Sequence, residues 1–384
     1  MKTSCNQKNI SYMRDNYHNF FFSGDRVINP EPDSLLSNID SINNMIWTWP
    51  SMDLALMKQN PLIEPIESLN ELYVKRAREL REHYSYIKLL YSGGPDSHNV
   101  LETFMLNDIF LDEICIFDYN EFTNRSLDSN VIRESTTERF EIDIVAIPLA
   151  KKMIERYSPK TKLTFEYMIP KLDAHVKSVD IHSDRLLQKH FRDILFHGTN
   201  VVTFDVPAGG VILYGSEKPY VKKSKQGYFI HFFNKYMRRL NENKVELFYT
   251  HPSCARMIIK QSHKIVAVIP ELIPNAEDRG PGTRSYENAL AKILYDRKHS
   301  IPYGDTWKES DMIKTPLYKA FHDQFDIPKG SINYNMMYYI MNNDHAKSVL
   351  NKVISVTKEY SNKDLAQRIL FGSFPSRNIY IKYV

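Results

Sequence analysis

The chain has 384 residues, enough for one large or two ordinary domains, each with its own core. Hydrophobic residues make up 42% and charged residues 25%, a balance that excludes a disordered or membrane-embedded class. Basic residues exceed acidic ones by only 50 − 46 = 4, so the concentrated basic surplus of a nucleic-acid binder is missing.

Cys5, Cys115 and Cys254 stand far apart with no CxxC pair, which excludes a disulfide scaffold and a four-thiolate zinc site. The expected compartment is the reducing cytoplasm. Met1–Cys5 lacks the apolar core of a signal peptide, and no apolar stretch approaches the length of a membrane span.

In chain order, residues 1–64 read as an irregular region interrupted by Pro30, Pro32, Pro50 and Pro61, with Trp47 and Trp49 as anchors. Leu69, Leu72, Tyr73, Ala77 and Leu80 recur at helical spacing and predict a helix over 66–83. Ile87–Tyr91 predicts a buried strand ending at a Gly-Gly turn, and Val100, Leu101, Phe104 and Met105 stripe the helix that follows. EICIF at 113–117 predicts a second strand, 128–140 a helix, and IDIVAI at 142–147 a third strand. That alternation implies an α/β class, an open parallel sheet with helices on both faces.

Beyond 150 the pattern predicts helices at 164–178, 184–197, 253–267, 285–296, 337–358 and 363–370. Strands are expected at 201–204 and 211–214, with a hairpin over 220–233 turning at Lys225–Gly227. The run Lys222-Lys223-Ser224-Lys225 reads as a solvated turn. Asp278–Thr283 is the expected mobile loop. The resulting division is an irregular region 1–64, a nucleotide-binding α/β domain 65–240, and a mainly helical acceptor or lid region 241–384.

The chemistry concentrates in Ser92-Gly93-Gly94-Pro95-Asp96-Ser97, between a strand and a helix. Adjacent glycines permit positive φ and remove side chains, so an anion can reach main-chain N–H groups. The helix start adds unpaired donors and the positive end of its dipole. Ser92 and Ser97 supply hydroxyls, and Pro95 presets φ at the first helical position. Asp96 beside an anion either caps the helix or holds Mg²⁺ that in turn holds phosphates. Neither GxxxxGKS/T nor a GxGxxG following a strand is present.

This segment resembles the SGGxDS signature of the PP-loop ATP pyrophosphatases, whose fold is adenine nucleotide alpha hydrolase-like. That group includes asparagine synthetase and 7-cyano-7-deazaguanine synthase. The resemblance spans about residues 85–148, and the preceding helix looks most like the arrangement in asparagine synthetase. It implies that Ser92, Gly93, Gly94, Asp96 and Ser97 grip the phosphates of ATP with Mg²⁺. It also implies adenylation of a substrate oxygen, release of pyrophosphate, and displacement of AMP by a nucleophile.

Several further positions are candidates with ordinary alternatives. Asp118, ending the second strand, either touches ribose or substrate or caps a turn. Tyr214–Pro219 supplies a second wall whose Lys218 would neutralise developing phosphate charge, or it is an exposed turn; Glu217 is a weaker candidate. Arg279 and Arg284 flank Gly-Pro-Gly as lid arginines or solvated ones. His182, His190 and His197 lack an acidic partner at ligand spacing and read as core or surface histidines. Cys254 sits at a helix start, where a thiol pKa can fall, or is a buried cap-region cysteine.

Without paired cysteines, sulfur transfer is disfavoured. With Lys2 after Met1 and only 91 residues before the loop, no intrinsic glutaminase of the usual kind is expected. The expectation is an AMP-forming ligase that activates a small carboxylate or carbonyl for attack by ammonia or an amine. A tRNA- or nucleobase-modifying enzyme and a catalytically silent nucleotide binder stand as alternatives.

Overall fold

The computed structural model describes residues 20–23, 26–28, 46–118, 141–178, 205–215, 218–232, 245–272, 293–295, 319–325, 327, 334–358 and 378–383. Among these, the N-terminal region is ordered into elements where an irregular one is expected. Strands β1 (Phe20–Ser23), β2 (Arg26–Ile28) and β3 (Ile46–Thr48) form an antiparallel sheet in the order β2-β1-β3. Helix α1 (Pro50–Lys58) follows. Pro50 occupies the start of that helix, where its missing N–H costs nothing and its fixed φ helps, so it initiates structure instead of interrupting it. Trp49 is fully buried, as an anchor should be.

Helix α2 (Leu69–His83) opens on a capping box in which Ser68 and Glu71 satisfy each other's backbone N–H groups. It buries Leu72, Tyr73, Ala77 and Leu80, the predicted stripe. Next come β4 (Tyr86–Leu90), α3 (Pro95–Met105) and β5 (Glu113–Asp118), all where the periodicity puts them.

The expected third strand at 142–147 is instead a π-helical turn, Glu141–Ala146, running into α4 (Ile147–Tyr157). Ile142, Ala146, Ala150 and Met153 recur at four, four and three residues and turn one apolar side inward, so the helical period wins over local alternation. The third strand is β6 (Lys162–Tyr167), followed by α5 (Met168–Ser178). The helix predicted at 164–178 therefore begins only after Tyr167. Lys162–Tyr167 pairs residue for residue with β5, and six cross-strand positions outweigh the segment's weak helical pattern.

Strand β7 (Gly210–Tyr214) and the hairpin β8 (Tyr220–Lys223)–β9 (Gly227–His231) stand where predicted. Lys222, Lys223 and Lys225 are solvent-exposed around its turn. The short strand β10 (Val245–Leu247) precedes a 3₁₀ turn at Pro252–Cys254 and α6 (Ala255–Leu272). The expected helix at 337–358 is two, α7 (Tyr334–Met341) and α8 (Asp344–Lys358), and β11 (Ile379–Tyr383) pairs with β9. The helices expected at 128–140, 184–197 and 363–370, and the strand at 201–204, lie outside the described residues. So does most of the helix expected at 285–296.

The central sheet is parallel throughout, in the order β10-β7-β4-β5-β6. This is the order of a Rossmann-like α/β sheet. The chain leaves β4 toward β5 and β6 on one side, then returns to add β7 and β10 on the other. The order reverses between β4 and β7, and in such sheets the crevice beyond the strands' carboxyl ends at that point receives ligands. The sheet core includes Ile87, Leu89, Ile114, Val211 and Leu213, all fully buried. No helix among the described residues is long and apolar enough to cross a membrane.

Candidate functional site at the reversal of strand order

The register of β4 and β7 sets Leu90 beside Tyr214, so the segments starting at Tyr91 and Gly215 leave the sheet side by side. Gly93 adopts φ +74°, a conformation that L side chains resist. A Cβ there would lie 2.9 Å from both Cα and Cβ of Ala146. A Cβ on Gly215 would lie 2.8 Å from the Ser97 Cα. The loop is thus held between the π-helical turn on one side and the β7 exit on the other, and both contacts need a missing side chain. π-Helical turns recur at functional sites, and here one forms the wall behind Gly93.

Within the loop the hydroxyls brace the backbone. Gly94 N–H donates to Ser92 Oγ at 3.2 Å, Ser92 N–H donates to Ser97 Oγ at 3.3 Å, and the two hydroxyls lie 3.2 Å apart. Ser97 Oγ also reaches Gly94 O at 3.2 Å. Gly94 is the N-cap of α3, with Pro95 following it, and no side chain caps this helix. Among the described residues the N–H groups of Gly93, Asp96 and Ser97 have no hydrogen-bond partner. Three unpaired donors at a helix start, with the dipole behind them, make an anion cradle.

Asp96 does not cap the helix, which corrects one of its two expected roles. Its Oδ1 accepts from Lys218 Nζ at 3.0 Å and from Tyr295 OH at 2.7 Å. Lys218 also lies over the Tyr295 ring, 5.7 Å from its centroid. Tyr249 OH donates to the Asp96 carbonyl at 2.8 Å and accepts from Asn99 Nδ2 at 2.9 Å. Tyr73, Tyr249 and Tyr295 pack against one another with centroids 5.8 to 6.3 Å apart. Burial, reinforced by neighbouring phenols and Asp96, holds the Tyr249 and Tyr295 hydroxyls well above the ordinary phenol pKa. They act as hydrogen-bond donors, not as bases.

The structure therefore brings together Ser92, Gly93, Gly94, Asp96, Ser97 and Lys218. Asp118 ends β5, buried, paired with Tyr167 across to β6 and two strands from β7. Ser216, Glu217, Arg279, Arg284 and His182, His190 and His197 fall outside the described residues, as does Cys5. Cys254 is buried, and burial pushes its thiol pKa up to about 12, opposite to an activated helix-start cysteine. Cys115, buried within β5, is pushed up to about 11 for the same reason.

Tyr249, Tyr295, Asn99 and Ala146 escape the sequence reading. They come from distant segments and carry no motif. The one available signal was Asn99, a polar residue beside the apolar stripe of α3. Among the described residues no group of three or more His, Cys, Asp or Glu side chains can hold a metal ion. Asp96 Oδ2 is the carboxylate oxygen at the cradle that Lys218 and Tyr295 leave open.

Compared with protein-family models and with curated protein sequences, the chain matches none.

Proposed function

We propose that the protein is an ATP-dependent, AMP- and pyrophosphate-forming enzyme. It would activate a carboxylate or carbonyl oxygen of a small molecule for attack by ammonia or an amine. The observation that carries this reading is the cradle itself: three unpaired main-chain donors at a helix start, at the reversal of strand order, with Lys218 beside them.

In this reading the N–H groups of Gly93, Asp96 and Ser97 bind the β,γ-phosphates. Ser92 and Ser97 keep the turn rigid, so no reorganisation is needed as negative charge builds on the leaving pyrophosphate. Lys218, anchored by Asp96 and Tyr295, sets a fixed positive charge against that leaving group. Asp118 lines the same carboxyl edge on the adenosine side. A Mg²⁺ ion carried in on the phosphates would have Asp96 Oδ2 as its protein ligand, a mode suited to an ion that keeps most of its shell from phosphate and water. Bound there, it would spread phosphate charge. The reaction would suit a soluble, cytoplasmic enzyme.

The test is release of pyrophosphate and AMP from ATP by the purified chain across pools of carboxylic acids and amines. Turnover should fall on the order of tenfold or more in Asp96→Asn and Ser97→Ala, the scale of losing one charge-stabilising contact. Wild-type rates in both variants would remove the loop from the mechanism. A binding-only reading has one observation in its favour, since Asp96 Oδ1 is already occupied by two donors. ATP binding without either product under every pool would establish that reading instead.

A further inference from the structure

A cavity of ≈ 830 Å³ lies between α2, α3, α6 and residues 293–294, beyond the phosphate cradle on the flank of α3. Asn99, Glu102, Thr103, Leu106 and Asn107 line it, a spacing that places all five on one face of the helix.

The hydrogen-bonding state of that face is specific. Asn99 Nδ2 donates to Tyr249 OH, Thr103 Oγ1 donates to Asn99 O at 2.6 Å, and Asn107 Nδ2 donates to Thr103 O at 2.9 Å. The single Tyr249 hydroxyl proton goes to Asp96 O, so its oxygen must accept, which fixes the Asn99 amide with Oδ1 away from it. Asn99 is only 9% exposed, yet its Oδ1 has no partner among the described residues. Asn107 Oδ1 is likewise without one, and Glu102 gives one oxygen to His98 at 3.4 Å and keeps the other.

The face thus turns its donors inward and offers acceptors, one of them anionic. The lysines on the far wall do not reverse this, because Lys260 is held by Pro65 O and Glu64, and Lys264 by Glu64. Ile66, Leu69 and Leu294 supply an aliphatic wall.

We infer that this cavity binds a protonated primary amine with an aliphatic body, and that its occupancy is felt at Asp96. The ammonium donates to Asn99 Oδ1 and Glu102, and the carbon chain lies along Ile66, Leu69 and Leu294. Two short routes lead to the cradle. Asn99 and Asp96 share Tyr249. Leu294, which accepts from Tyr73 OH at 2.8 Å, adjoins Tyr295 and its bond to Asp96 Oδ1. The site stands on its own geometry and does not depend on ATP turnover.

Calorimetric titration of the whole chain, without nucleotide, with 1,4-diaminobutane, tetramethylammonium and 1-butanol tests it. Saturable binding of the diamine alone is expected, weakened about tenfold in Glu102→Gln by loss of a charge-assisted contact and abolished in Leu106→Trp, which fills the cavity. Both variants are first checked for the wild-type melting profile. Absence of diamine binding, equal binding of tetramethylammonium, or undiminished binding in both variants overturns the site. For the coupling, the Asp96 and Ser97 amide resonances should shift as the diamine saturates, and by less in Tyr249→Phe, which removes one of the two routes. Resonances that do not move in the wild-type chain overturn the coupling.

Discussion

Two charge clusters flank the same part of the sheet and differ in one physical respect, their access to water. At the carboxyl edge, Asp96, Lys218 and Tyr295 meet with the aspartate side chain 27% exposed and the lysine 11%. Beneath α2, Arg76 binds Glu246 of β10 at 3.0 Å, and His251 Nε2 approaches the other Glu246 oxygen at 3.5 Å; the three are 2%, 0% and 0% exposed. The deep cluster joins β10 to α2, while the shallow one borders unpaired amides. Burial fixes a charge cluster as architecture, and partial exposure leaves one free to exchange partners with a ligand.

The largest expected effect lies in the deep cluster. Glu246→Ala would leave the Arg76 guanidinium buried without its main partner, at a cost of about 3–5 kcal/mol. Urea unfolding should show that loss, and a change below about 1 kcal/mol would break the contrast between the clusters. Next comes the cradle: Gly93→Ala forces a side chain onto Ala146 at positive φ. Nucleotide affinity, measured by calorimetry, should drop on the order of tenfold or more, equivalent to about 1.4 kcal/mol.

A smaller effect is expected at the shallow cluster. Tyr295→Phe keeps the ring under Lys218 but removes one bond to a carboxylate, so pyrophosphate affinity should weaken roughly threefold to tenfold, the range for a partly exposed charged hydrogen bond. Unchanged affinity and unchanged salt dependence would reduce Tyr295 to packing.

The smallest effect separates the clusters by pH. Burial, outweighing the attraction of Arg76, raises the Glu246 pKa from 4.5 to about 7. Between those values the folded chain holds a proton that the unfolded chain has lost, so stability declines as pH rises through this window. Burial lowers His251 well below 6.5, and there the unfolded chain binds the extra proton, so its contribution rises with pH up to 6.5. Burial lowers His83 and His231 as well, so the histidines oppose the Glu246 decline across the whole window. The Glu246 term is read as a difference: the urea midpoint of Glu246→Gln should gain on that of the wild-type chain as pH rises from 4.5 to about 7, and a constant difference would break the assignment.

How much of this was legible beforehand depended on whether the signal was local. The strand-loop-helix around Ser92–Ser97 was readable because each requirement is met by neighbours in sequence: apolar run, paired glycines, Pro95 and the stripe of α3. Lys218 was readable as a cation just past a strand, though its partner Asp96 was not. Glu141–Ala146 misled because a short apolar stretch fits strand and helix alike, and the helical period emerges only when it is continued into Ala150 and Met153 of α4. Pro50 misled because a proline at a helix start and one in a loop look alike in composition.

By itself the sequence determined the glycine loop between strand and helix and the repeating α/β grammar, since backbone permissiveness, caps and periodicity act over a few residues. Tertiary structure alone decided the strand order that puts β7 beside β4, the clamp of Asp96 by Lys218 and Tyr295, and the acceptor-lined cavity on α3. The Asp96 clamp alone joins residues separated by 199 positions, and no local propensity encodes which distant side chain will satisfy a given carboxylate.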